Sequence, residues 1–510
     1  MDRLLLRDGT LVDGSGEAAC AGDVLIEGAR IAAVGKFEPP SECRVIDCTG
    51  LTVAPGFIDL HSHSDLQVLE NRREKAAQGV TTEAIGNCGF SAYPCGPDRG
   101  ALQEFANGIF CGGNDWGWTN AREYLESVRR RARLAHVASL VGHGSLRIAH
   151  AGLRHGPLEE AAQAAMERSL AEALSDGASG FSTGLMYAPG SSAPFEEILR
   201  LCRVVARHGK LYATHMRSYS WQLLESLEEQ LKLARESGCR LQISHLQAVG
   251  HANWSKQDRA LARIEEARSQ GADVAFDIYP YQAGSTVLTQ LLPQRMLDGG
   301  IPALLERLST PGRRAQIAKE TQAQVAQRWE DIFIAAVGSQ NNHELVGKNL
   351  AAIAAARGRE PAEVVMDLLV EERAGVNIVS FNQSEENLRK LLTHPLCSVI
   401  SDGFYVKGKP HPRLCGTFPF LLGEICRQRG WLTSPQAIHK VTAQPAERLG
   451  LKDRGLLRPG CFADVTVFDA ARIAGPATYE APETPPEGIR FVFREGRAIH
   501  PATGSEPEPL

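Results

Sequence analysis

Apolar and polar positions follow two different rhythms along this chain. Up to residue 54 the pattern is one of short strands: "RLLLRDGTLVDG", "DVLIEGARIAAVG" and "CRVIDCTGLTVAPG" cluster or alternate β-formers between Asp-Gly and Gly turn signals. The far end repeats this rhythm in "ADVTVFDA" (463–470) and "IRFVFREGRAIH" (489–500). Two β segments at opposite ends predict one small β-sandwich domain built from both termini, residues 1–54 and 451–510. The closing "GSEPEPL" reads as a disordered tail.

Between them, residues 55–450 alternate apolar strand-like runs with helical stretches. "ARLAHVASLVGHG" precedes "PLEEAAQAAMERSLAEALSDG", "KLYATHM" precedes "WQLLESLEEQLKLARESG", and "CRLQISHL" precedes "DRALARIEEARSQG". "GASGFSTG", "DVAFDIYPY", "AGVNIVSF" and "PLCSVISDG" read as further strands of the same series. The helical stretches space their apolar residues by three and four, and several stop at Gly. This predicts an α/β chain whose main domain is a (β/α)8 TIM-like barrel. A doubly wound sheet would want a Gly-rich phosphate loop after its first strand, and none is present. Residues 290–345 fit the alternation poorly and are expected to be an insertion.

Composition narrows the class. Of 510 residues, 43% are hydrophobic and 23% charged, with a formal net charge of −5, as in an ordinary globular protein. There is no basic excess to suggest nucleic acid, and no apolar run long enough to cross a membrane. Twelve cysteines behind an N-terminus, "MDRLLLRDGTLVDG", that lacks an apolar leader predict a reducing, cytoplasmic setting with free thiols. Most of these, Cys111 and Cys202 among them, are expected to be inert packing residues.

Cys88, in "GNCGFS", is the exception because of where the alternation puts it. In a parallel barrel, residues at strand C-terminal ends face the active site. Those ends here carry His61 and His63 ("PGFIDLHSHSD"), Cys88, His215 ("ATHM"), His245 ("ISHL") and Asp402 ("SVISDG"). His61 and His63 are two apart, so on a strand both point to one face. A lone strand-end histidine more often packs or hydrogen-bonds than ligates. Six such groups at successive strand ends form a donor set of imidazole, thiolate and carboxylate suited to Zn²⁺.

"VAPGFIDLHSHSD", with "PGCFADVTVFD" late in the chain, resembles the amidohydrolase superfamily. "GVTTEAIGNCGFS", "GFSTGLMYAPG", "YATHMR", "LQISHL", "DIYPYQAGST", "SDG" and "HPRLCGTFPF" are similar to the N-acyl-D-amino-acid deacylase (D-aminoacylase) family, in that family's order. The resemblance implies a (β/α)8 barrel with a terminal β-sandwich. It also implies a zinc-dependent hydrolase that cleaves N-acyl-D-amino acids to a carboxylate and a free D-amino acid. Carried over by motif, Cys88, His215 and His245 would hold a tight Zn²⁺, Cys88 standing where many relatives have a carbamylated lysine. His61, His63 and Asp402 would form a second, weaker site, with Asp402 as general acid–base. Tyr187, Tyr279, Ser285 and Arg413 look like substrate-contacting positions. The chain departs from the family at Gln247, where lysine is usual, and at Ser218 and Tyr219, where Asp-Glu is usual. Two other readings stand beside this one: a hydrolase of another linear or cyclic amide or of a dipeptide, and a non-catalytic scaffold. The intact ligand set argues against the scaffold.

Overall fold

Eight short parallel strands form the centre of the molecule. In chain order they are Phe57–Asp59, Val80–Ile85, His136–Gly142, Gly180–Gly184, Leu211–His215, Arg240–Ile243, Val274–Ile278 and Cys397–Val399, and they lie side by side in that order. The structure is a computed structural model that describes residues 3–97, 99–106, 108–110 and 116–501. The tail "GSEPEPL" and Cys111 lie outside the described residues. Strands such as Val80–Ile85 and Val274–Ile278 are buried along their whole length, as expected when helices cover one face and side chains fill the other.

Helices return between strands with one apolar stripe inward. Leu223–Ser237 buries Leu223, Leu227, Leu231 and Ala234 at helical spacing and stops at Gly238, whose φ of 72° suits glycine. The barrel closes between its last and first strands by a parallel bridge from Ser62 to Gly403. Asp402 N donates to His61 O at 2.9 Å and His63 N donates to Gly403 O at 3.0 Å. Beneath this bridge, buried Lys75 donates to Asp59 and to Ser401 Oγ, while Ser401 N donates to Asp59 Oδ1 at 2.9 Å. The closure therefore sets the backbone on which His61, His63 and Asp402 stand.

Both termini build a second eight-stranded sheet. Thr52–Pro55 from the N-terminal segment pairs antiparallel with Val465–Phe468 from the C-terminal one, Val53 opposite Val467. Leu6, Val24, Val53, Val465 and Phe493 pack there in a core of their own.

A third, three-stranded antiparallel sheet lies in the connection between the last two barrel strands, from Ala283–Val287, Ile332–Val337 and Val376–Phe381. Leu304, Ile317, Ile334, Val365 and Ile378 belong to its separate core. The break in the alternation is thus wider than residues 290–345, and "AGVNIVSF" leaves the barrel series to become the middle strand of this sheet. An apolar β-branched run carries no local mark of which sheet it joins, because pairing is decided by contacts distant in sequence.

Candidate metal centre and substrate cavity

The barrel strands are too short to carry the key side chains within them, so most stand just past a strand end. His61 and His63 follow Phe57–Asp59, Cys88 follows Val80–Ile85, His245 follows Arg240–Ile243, and Asp402 follows Cys397–Val399, while His215 ends its own strand. Three of them turn on left-handed backbone: Cys88 at φ 54°, His245 at 33° and Asp402 at 48°. Such a conformation costs about 1–3 kcal/mol for a residue with a Cβ and persists where the surroundings enforce it, typically at functional sites. Gly184 shows how tight the fit is: a Cβ there would lie 1.9 Å from Cys88 O.

The side chains converge in two overlapping groups. Cys88 Sγ lies 3.4 Å from His61 Nε2 and 3.5 Å from His245 Nε2. Asp402 Oδ1 lies 3.4 Å from His61 Nε2 and 3.2 Å from His63 Nε2. Donor atoms of His61, Cys88 and His245, and of His61, His63 and Asp402, are each close enough to hold one cation, and His61 belongs to both groups. His215 stands beside the first, its ring centroid 4.6 Å from that of His245.

The chemistry of these groups fits a metal. Burial holds His215 well below the ordinary imidazole value and His245 down to about 3, so both are neutral, the form that ligates. Neither ring nitrogen of buried His215 has a hydrogen-bond partner, and Nδ1 of His63 and of His245 also lack one. Burial raises the Cys88 thiol, an effect that a coordinated cation reverses by taking the thiolate. Asp402 is pushed up by burial, but Arg413, then His61 and His63, outweigh this and hold it well below the usual carboxylate range. Orphaned buried nitrogens around a thiol and an ionised carboxylate are the donor set that Zn²⁺ prefers.

The residues expected to meet substrate are neighbours of one another. Arg413 Nη1 lies 2.9 Å from Asp402 Oδ2 in an ion pair off the hydrogen-bond axis. Its guanidinium covers the Tyr279 ring at 4.5 Å, and Nη2 donates to Ser285 O at 3.4 Å. Gln247 Nε2 is 3.3 Å from Tyr279 OH. Tyr187 packs edge-on to His215 at 4.9 Å, with its OH 3.4 Å from Thr286 Oγ1. His63, Cys88, His215, His245, Asp402, Gln247 and Tyr279 line one cavity of about 740 Å³, whose outer wall comes from the three-stranded insert.

Two contributors escape a reading of the sequence. Asp277 Oδ1 accepts from His245 N at 2.7 Å, fixing the backbone of that histidine, and its carboxylate lies 3.6 Å from His61 Nδ1. Its only signal is a carboxylate inside the apolar run "VAFDIY". Tyr219 OH accepts from Met216 N at 3.0 Å and donates to Ser244 O at 2.8 Å, bridging the ends of the strands that carry His215 and His245. That is a structural use for a position where the family usually has an acid.

A parallel eight-stranded barrel with imidazoles, a thiol and a carboxylate at its mouth defines a class, the metal-dependent barrel hydrolases. The chain belongs to the amidohydrolase family, whose pattern matches residues 44–500, and within it to the N-acyl-D-amino-acid deacylases. It is 36% identical to the N-acyl-D-glutamate deacylase of Alcaligenes xylosoxydans xylosoxydans, over 99% of this chain and 95% of that one. It is 35% identical to the D-aminoacylase of the same organism, over 97% and 94%. Among solved structures, N-acyl-D-glutamate deacylase from Bordetella bronchiseptica, complexed with zinc and a phosphonate mimic of the tetrahedral intermediate, superposes with a TM-score of 0.84. The two chains share 34% identity, with 98% and 97% of them covered. No helix among the described residues is long and apolar enough to cross a membrane.

Proposed function

We propose that this protein hydrolyses the amide bond of N-acyl-D-amino acids, releasing a carboxylate and the free D-amino acid, with zinc at the barrel mouth. The observation that carries the reading is the pair of overlapping ligand groups beside a carboxylate kept ionised by an arginine. Cys88, His215 and His245 would hold the tighter Zn²⁺; His61, His63 and Asp402 would form a second, weaker site, with His61 in reach of both groups. When bound, Zn²⁺ polarises the amide carbonyl and acidifies water at neutral pH. A reducing, cytoplasmic setting suits the thiolate ligand.

The side chains do the rest. Asp402 accepts the proton of the attacking water and returns it to the leaving nitrogen, a step amides need because an unprotonated amine leaves poorly. His63, within reach of the same carboxylate oxygen, steadies the charge that develops on the carbonyl oxygen. Arg413 keeps one fork against Asp402 and offers the rest, with Tyr279 and Ser285, to the substrate α-carboxylate. Gln247 adds a neutral contact through Tyr279, and Tyr187 closes the opposite wall against His215. A fixed clamp and a fixed reaction centre leave one productive hand at Cα.

The test is hydrolysis of paired N-acetyl-D- and N-acetyl-L-amino acids by the zinc-loaded protein. Turnover of the D series, lost on chelation and restored by zinc, is expected. Equal turnover of both hands, or turnover confined to cyclic amides, contradicts the reading.

A further inference from the structure

The outer cavity constrains the substrate's side chain, an inference that rests on the deacylase reading above. A substrate with an acidic side chain brings a second carboxylate into this space. Leaving water, that carboxylate needs a cation or several donors in return. Among the described residues lining the cavity, the permanent cations are Arg217 and Arg295.

Arg217 is already committed. Its Nε reaches both carboxylate oxygens of Glu229 at 2.9 Å, Nη1 donates to Ser191 O at 2.8 Å and Nη2 to Ala193 O at 2.6 Å. The guanidinium fastens the loop after the fourth barrel strand, and its charge is already balanced by Glu229. Arg295 stands at the rim, its side chain 55% exposed and ion-paired with Glu320. Arg413 lies at the opposite end, against Asp402. The wall between is apolar, as at Phe90, Ile109 and Leu291, or carries neutral amides and hydroxyls, as at Gln222, Gln290 and Ser220. Gln290 also borders a small side recess lined by Phe105, Leu297 and Ile301, with Glu104 as its charged group, an anion that would repel a second carboxylate.

We propose that the cavity selects N-acyl-D-amino acids whose side chain is uncharged, and that Gln290, which lines both the cavity and the side recess, is a specificity-determining residue. The protein then differs in substrate from the N-acyl-D-glutamate deacylases to which it is similar. Neutral side chains reach the recess without losing charge hydration. A glutamate side chain arrives at a wall of hydrocarbon, hydroxyls and neutral amides, with no cation there to balance its charge.

N-acetyl-D-glutamine and N-acetyl-D-glutamate isolate the charge, because they are nearly the same shape. With the zinc-loaded full-length protein, kcat/KM is expected to favour the glutamine substrate by roughly 10- to 100-fold, the span of one charge-assisted hydrogen bond. N-acetyl-D-methionine and N-acetyl-D-leucine should side with glutamine. Gln290→Arg should narrow the ratio by about tenfold or more, while Arg295→Gln should leave it within about twofold. Equal or better turnover of the glutamate substrate by the unsubstituted protein overturns the proposal and leaves the deacylase reading standing. A glutamate activity that disappears in Arg295→Gln overturns it too, by naming Arg295 as the partner, and a ratio unmoved by Gln290→Arg removes Gln290 as the determinant. Failure to hydrolyse any N-acyl-D-amino acid takes down both.

Discussion

Ser401 and Asp402 are adjacent, yet they belong to two buried polar clusters of opposite character. Ser401 joins Lys75 and Asp59 under the barrel closure, and each of the three has partners within that group. Asp402 joins the histidines and Cys88 one residue further on, where both nitrogens of His215 and Nδ1 of His63 and His245 have none. Both clusters have given up hydration, and burial without partners is costly. A saturated cluster is explained by the fold alone. An orphaned one of imidazoles around a thiol and a carboxylate is explained by what it binds.

Substitutions can break that contrast, and the largest effect belongs to the mouth. Cys88→Ala should strip the tight zinc and take hydrolysis to background, while the fold survives, because the thiol contacts His61 and His245 and none of the closure cluster. Metal analysis beside circular dichroism checks this, and full zinc with normal turnover in the variant would remove Cys88 from the site. Asp402→Asn comes next. The amide keeps the size and loses the basicity, so kcat should fall by about 10²–10⁴ with the tight zinc retained. Near-normal turnover would reduce Asp402 to a residue of the closing turn.

The closure answers in a different currency. Lys75→Met leaves the Asp59 carboxylate buried without its cation, held only by Ser401, and should lower stability by about 3–5 kcal/mol in urea unfolding. Protein that remains folded should still bind zinc. Lys75→Met with Asp59→Leu should recover much of the loss, since replacing both partners of a buried pair costs less than removing one. A single-variant loss below about 1 kcal/mol would mean that the saturated cluster contributes little to closure.

The sequence makes the mouth more legible than the closure, for a physical reason. Short apolar strands that end in His or Asp announce a change from packing to chemistry within five or six residues, as in "YATHM" and "LQISHL". Local pattern suffices there, and His61, His63, Cys88, His215, His245 and Asp402 can all be picked out as strand-end residues. Lys75 and Asp59 look like an ordinary helix lysine and strand aspartate, because their partner Ser401 lies more than 300 residues away in sequence. The ion pair of Arg413 with Asp402, the support of His245 by Asp277, and the withdrawal of Val376–Phe381 into the insert's sheet are contacts between separate elements, which no local pattern records. The double membership of His61 is also a product of barrel curvature, which sets the first strand beside the last and across from the sixth.

The most direct test is zinc K-edge X-ray absorption on the purified protein loaded with one equivalent of Zn²⁺. The account predicts a single sulfur neighbour at about 2.3 Å with nitrogen or oxygen neighbours at about 2.0–2.1 Å, and loss of the sulfur contribution in Cys88→Ala. A spectrum with only nitrogen and oxygen neighbours, unchanged by that substitution, would contradict the claim that the orphaned cluster around Cys88 is the metal site.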